Sequence, residues 1–123
     1  MTKLQSRIGR EGEEAARQYL EGLGYRVLHI NWRSGHYELD IVARRSEWLV
    51  VVEVKTRDQR RIMEPEDAVD KAKIRRTVAA ADAYVQTFDI DLPIRFDILS
   101  LIKRSDGSYR IEHIEDAFYA PVQ

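Results

Sequence analysis

The sequence predicts a mixed α/β protein with the element order α-β-β-β-α-β-β and a mixed sheet flanked by helices. Three observations carry that expectation. An apolar stripe at helical spacing opens the chain. Three strand-like segments then follow closely between residues 25 and 56. A second helical stretch rich in small residues separates them from a final strand pair joined at Asp106-Gly107. With 123 residues, the chain suits one domain over its full length, 1–123.

The first helix is expected from Thr2 to Leu23. Thr2 and Gln5 match a capping box, and Ile8, Ala15, Ala16, Tyr19, Leu20 and Leu23 form the apolar stripe. Gly22 and Gly24 end it. Tyr25 to Trp32 reads as the first strand. Tyr37 to Ala43 alternates, with Leu39, Ile41 and Ala43 on one face and Glu38, Asp40 and Val42 on the other. Trp48 to Thr56 is rich in β-branched residues and reads as a buried strand. The polar run Arg44 to Glu47 is short enough for a hairpin turn. The second helix is expected from Pro65 to Gln86, with proline at its first position. Its expected packing face is Ala68, Val69, Ala72, Ala79, Ala80 and Ala83. A fourth strand, Ile94 to Ile102, pairs with a fifth, Tyr109 to Ile114.

Composition narrows the function classes. The chain is 44% hydrophobic and 33% charged, which suits a folded domain with a heavily charged surface. Having no cysteine, it forms no disulfide and lacks the thiolate ligands of structural zinc. Its longest strictly apolar run, Trp48 to Val52, is far short of the roughly 20 residues of a membrane helix. No signal-like apolar core opens the chain, so the expected location is cytoplasmic, with no membrane partner. Net charge is −1, but its distribution is uneven. Residues 55–76 carry a net +3 and residues 77–123 a net −4. A local basic excess either holds phosphates or marks a solvated helix.

The informative segment is Glu38-Leu39-Asp40, then twelve intervening residues, then Glu53-Val54-Lys55. Burying charge in a hydrophobic strand costs several kcal/mol unless the charge is paired or binds a metal. Glu53 and Lys55, two apart, share a face. A two- or four-residue hairpin turn would bring Asp40 and Glu38 to that face too, whereas a three-residue turn without a bulge would oppose them. The expected patch holds two or three carboxylates and one ammonium. Such a patch suits Mg²⁺ or Mn²⁺, with Asp40, Glu53 and the Val54 carbonyl as ligands and Lys55 beside the attacking water. The plainer reading is a strand-end salt bridge.

At this point the chain resembles the PD-(D/E)xK nuclease superfamily, in the pattern Asp40…Glu53-Val54-Lys55. More closely, it is similar to the YraN-like bacterial proteins, a group resembling archaeal Holliday-junction resolvases. The matching stretches include Gly9-Arg10-Glu11-Gly12-Glu13, Asn31-Trp32-Arg33, Glu38 to Ala43, Val52 to Arg57, Lys73 with Arg75-Arg76, and Arg95-Phe96-Asp97-Ile98. They cover roughly residues 9–102. Leu39 stands where the superfamily has a proline, and Gly35 is displaced from the family's Gly-Glu-x-Asp. The resemblance implies a restriction-endonuclease-like core and a Mg²⁺- or Mn²⁺-dependent endonuclease acting on DNA, branched or damaged DNA included. It implies Asp40 and Glu53 as metal ligands, Lys55 as the catalytic lysine and Glu13 as a helix-borne acidic member of the site. Glu38 is an accessory candidate.

Basic residues suggest where a nucleic-acid backbone would lie. Arg57, Arg60 and Arg61 are expected in a loop after the third strand, while Lys73 and Arg76 sit at or on the small-residue face of the second helix. Each either reaches phosphate or is solvated, and Arg76 alternatively snorkels past alanines. His29, His36 and His113 have no metal spacing, and Tyr19, Tyr84 and Phe88 read as core. The rival reading is a nucleic-acid-binding or protein-interaction module that keeps the nuclease fold without turnover. Small size and near-zero net charge favour a partner or a homodimer.

Overall fold

A computed structural model of the protein describes residues 9–58 and 71–119. Two helices and five strands lie there: α1 (Gly9–Gly22), β1 (Arg26–Ser34), β2 (Tyr37–Arg45), β3 (Trp48–Asp58), α2 (Lys71–Phe88), β4 (Ile94–Lys103) and β5 (Tyr109–Phe118). The five strands form one sheet in the order β1-β2-β3-β4-β5. Neighbours are antiparallel except β3 and β4, which are parallel. A parallel pair needs a crossover, and α2 lies between its two strands in sequence.

Alternation in β3 builds two cores. Val50, Val52 and Val54 pack with Ala16 and Leu20 of α1. Leu49 and Val51 pack with Ala80, Ala81 and Tyr84 of α2. The helices therefore cover opposite faces of the sheet, and β3 is buried on both, as its β-branched run predicts. Among the described residues, no helix is long and apolar enough to cross a membrane.

α1 ends in a Schellman motif. The Tyr25 amide donates to the Leu20 carbonyl at 3.0 Å and the Gly24 amide to Glu21 at 3.0 Å. Gly24 takes φ +94°, the left-handed conformation this cap requires. Tyr25 and Leu20 then meet in the α1-side core.

Three expectations need correction. The buried face of α2 is Thr77, Ala80, Ala81 and Tyr84, whereas Ala72 and Ala79 are exposed. The large Tyr84 side chain sets the helix phase, meeting His29 and Trp32 edge to face and Phe88 at a tilt. Phe88 itself is 44% exposed. Next, Leu39 does not share a core with Ile41 and Ala43, since it packs on the α2 side with Trp32 and Val42. The change of face falls beside Asn31, whose φ of 56° breaks the extended pleat between the pairs Ile30–Ile41 and Trp32–Leu39. Finally, Arg57 is not in a loop. The parallel pairing of β3 with β4 runs on through Arg57–Ile102, so the strand outlasts Thr56. The Thr2–Gln5 cap, the Pro65 helix start, Ala68, Val69, Arg60 and Arg61 lie outside the described residues.

Candidate metal and nucleic-acid site

Register places the two carboxylates. β2 and β3 are joined through Ser46-Glu47, a two-residue turn, with Arg45 opposite Trp48 and Ile41 opposite Val52. One further step sets Asp40 opposite Glu53. The ladder does not simply continue there, because the Val54 amide donates to Asp40 Oδ2 at 2.8 Å. A side chain thus satisfies a strand donor and pins the aspartate. In an extended strand a residue's N–H and C=O project to the same edge, so the Val54 carbonyl also faces β2.

Both acids are buried, Asp40 at 6% exposure and Glu53 at 7%. Glu53 alternates with Leu49 and Val51, so it points to the α2 side. There Lys73 Nζ of α2 approaches Glu53 Oε2 to 2.5 Å. Asp40, Glu53 and Lys73 share a cavity of about 400 Å³. Arg75, Arg76 and Thr77 of α2 also line it, as do His36, Tyr37 and Glu38 around the β1–β2 turn. Glu38 faces Arg33 at 3.7 Å.

Three other expected residues do not line this cavity. Lys55 is on β3, two residues past Glu53 and half-buried, but it does not line the cavity. Arg57 Nη2 donates to Ser100 Oγ at 3.1 Å on the same side of the sheet. Glu13 is on α1, where it accepts a hydrogen bond from Asn31 Nδ2 at 2.5 Å, and it too is absent from the lining. Among the described residues, no group of three or more His, Cys, Asp or Glu side chains gathers as a metal cluster. A cation here would rest on two carboxylates, one carbonyl and outside oxygens. That set fits a hard ion such as Mg²⁺ or Mn²⁺, which keeps several waters, better than zinc.

Arg75, His36, Tyr37 and Thr77 belong to the cavity without having been singled out. Arg75 carried a signal, since it adjoins Arg76 and lies two residues from Lys73 in the basic segment. His36, which has no metal spacing in the sequence, is exposed at the cavity rim.

A second polar cluster lies on the opposite face. Asp97 of β4 is fully buried. It accepts two hydrogen bonds from Arg95, at 2.9 and 2.8 Å, and one from the Asp116 amide at 3.0 Å. His113 Nε2 lies 2.7 Å from the same carboxylate, and His113 Nδ1 lies 3.1 Å from the Tyr19 hydroxyl of α1. Burial alone would raise the Asp97 pKa, yet the bonds to His113, Arg95 and the Asp116 amide together hold it below the usual carboxylate range. The Arg95 guanidinium is held more firmly protonated by the Asp97 bond. Burial also pushes up the Tyr19 phenol, helped by Tyr25, Glu115 and Asp97. Every Asp97 oxygen is engaged, so this cluster braces the fold.

Residues 12–101 match the uncharacterised protein family UPF0102. A UPF0102 protein of Parabacteroides distasonis is 62% identical over 117 residues, spanning 95% of this chain and 96% of that protein. One from Bacteroides thetaiotaomicron is 55% identical over 115 residues, 94% of each. One from Porphyromonas gingivalis is 51% identical over 111 residues, 89% of this chain and 82% of its own. The chain belongs to the UPF0102 family, the YraN-like group that its motifs resemble.

Proposed function

We propose that this protein is a divalent-metal-dependent nuclease of the PD-(D/E)xK type, with a restriction-endonuclease-like core, hydrolysing phosphodiester bonds in DNA. The observation that carries the reading is the pair Asp40 and Glu53, buried on adjoining strands in one cavity that Lys73, Arg75 and Arg76 also line. Two buried acids under a basic helix end suit a phosphate and its counter-cation together. They are a poor way to stabilise a core.

In this reading Asp40, Glu53 and the Val54 carbonyl hold Mg²⁺ or Mn²⁺. When bound, the metal lowers the pKa of its water and offsets charge on the phosphate. The Val54 amide fixes Asp40, so one carboxylate oxygen stays aimed without reorganisation. Arg75 and Arg76 hold the backbone phosphates. Lys55, on the face of Glu53, steadies the developing negative charge. Arg57, Arg60 and Arg61 extend the backbone contacts, and Glu13 acts from α1 through Asn31. The protein works in the cytoplasm, and a homodimer would present two such sites.

A specific observation favours a second reading. Lys73 already neutralises Glu53 at 2.5 Å, so the site is satisfied without a metal. That suits a binding module that retains the fold and does not turn over.

Cleavage of duplex, single-stranded and four-way-junction DNA with Mg²⁺ or Mn²⁺ decides between them. Asp40→Asn and Glu53→Gln are each expected to lose about a hundredfold or more in rate while staying folded. A folded wild type that binds these DNAs and cuts none of them would leave only the module.

A further inference from the structure

We propose that His36 and Tyr37 form a base-stacking platform, and that the cavity takes an unstacked nucleotide of single-stranded DNA. The β1–β2 turn is tight: Ser34 pairs with Tyr37, and Gly35 takes φ +61° to close it. This holds the two rings together, centroids 4.5 Å apart and planes inclined by 35°. Tyr37 is half-buried against the α2-side core, while His36 is exposed. The core has no use for an exposed imidazole laid on a tyrosine. A base does, because every base presents a π-face and an aromatic surface takes it with little regard to sequence.

The rest of the cavity matches the other parts of a nucleotide. Arg75 and Arg76 line it from α2 and suit phosphate oxygens. Its volume of about 400 Å³ lies in the range of sites for small ligands, about 300–1,000 Å³. That volume suits one splayed nucleotide better than a base pair still stacked in a duplex. The inference rests on the proposed function only for what Asp40 and Glu53 do to the nucleotide once it is seated.

The test is equilibrium binding in EDTA, which prevents cleavage, using a single-stranded oligonucleotide containing 2-aminopurine and a blunt duplex. Wild type quenches the 2-aminopurine on binding. His36→Ala and Tyr37→Leu lose the quench and bind the single strand about 5- to 150-fold more weakly, the span of one stacked base. Tyr37→Phe keeps both, and none of the three changes affinity for duplex. Wild type that fails to bind or quench the single strand, or a folded His36→Ala that matches wild type, overturns the platform. Cleavage with Mn²⁺ in parallel separates the two ideas. Quenching without cleavage removes the nuclease and keeps the platform, whereas cleavage indifferent to His36 and Tyr37 does the reverse.

Discussion

In the proposed reading, Lys73 and a divalent cation would compete for one oxygen. Glu53 Oε2 is 2.5 Å from the Lys73 ammonium, in a side chain only 9% exposed. A metal that takes Glu53 as ligand must first displace that ammonium. Charge-assisted hydrogen bonds of this kind contribute about 1.5–3 kcal/mol. Lys73→Met is therefore expected to tighten Mn²⁺ binding to the free protein by about tenfold or more. Titration calorimetry of the two proteins measures it, and equal or weaker affinity in the variant contradicts the competition. The same step would make phosphate and metal cooperative, since a phosphate that drew Lys73 away would free Glu53. This coupling was not legible in the sequence. Asp40 and Glu53 were, because their spacing around a two-residue turn fixes which residues oppose. Lys73 was readable as a cation at the edge of the α2 face, but its partner Glu53 depends on the phase of α2. A face drawn through alanines misplaces that phase, which Tyr84 sets.

The β2–β3 turn sets the relation of those carboxylates. Ser46 has φ 55° and Glu47 is not among the positive-φ residues, the pattern of a type II′ turn, which favours glycine first. A non-glycine residue held there costs about 1–2 kcal/mol. Ser46→Gly is expected to raise the unfolding free energy by about 1 kcal/mol, measured by urea denaturation, with cleavage unchanged. A single glycine inserted between Ser46 and Glu47 is expected to abolish cleavage. The strands must then slip by one residue or bulge, and Asp40 no longer opposes Glu53. Full activity in a folded insertion variant would separate the site from this register. Strands were legible by two signals, the alternation of β2 and the continuous β-branched run of β3, which is buried on both faces. The end of β3 was missed because parallel pairing with β4, not local composition, carries it past Thr56. The face of Leu39 was missed because the left-handed residue that breaks the alternation, Asn31, sits on the neighbouring strand.

At the scale of the molecule, the candidate site and the brace occupy opposite faces of one sheet. The acids on the α2 side must tolerate crowding, while Asp97 on the α1 side is fully bonded and ties β4 to β5 and, through His113 and Tyr19, to α1. Removing one partner of such a buried network strands the other charge, at a cost of about 3–5 kcal/mol. Asp97→Asn is expected to destabilise by about that amount in urea. The pH dependence follows from the sign of the shift. The folded Asp97 pKa lies below the ordinary 3.8, so the unfolded chain binds the proton first. Its stabilisation is complete well above about pH 4 and fades as pH falls through the lower folded value. Wild-type stability should therefore drop steeply below about pH 4, and the Asp97→Asn variant should show a shallower acid limb. At pH 7–8, where the variant is still folded, its cleavage should match wild type, because Asp97 faces away from the cavity. A variant within 1 kcal/mol of wild type would show that the network is not a brace. A folded variant that had lost cleavage would show that the two faces of the sheet are coupled.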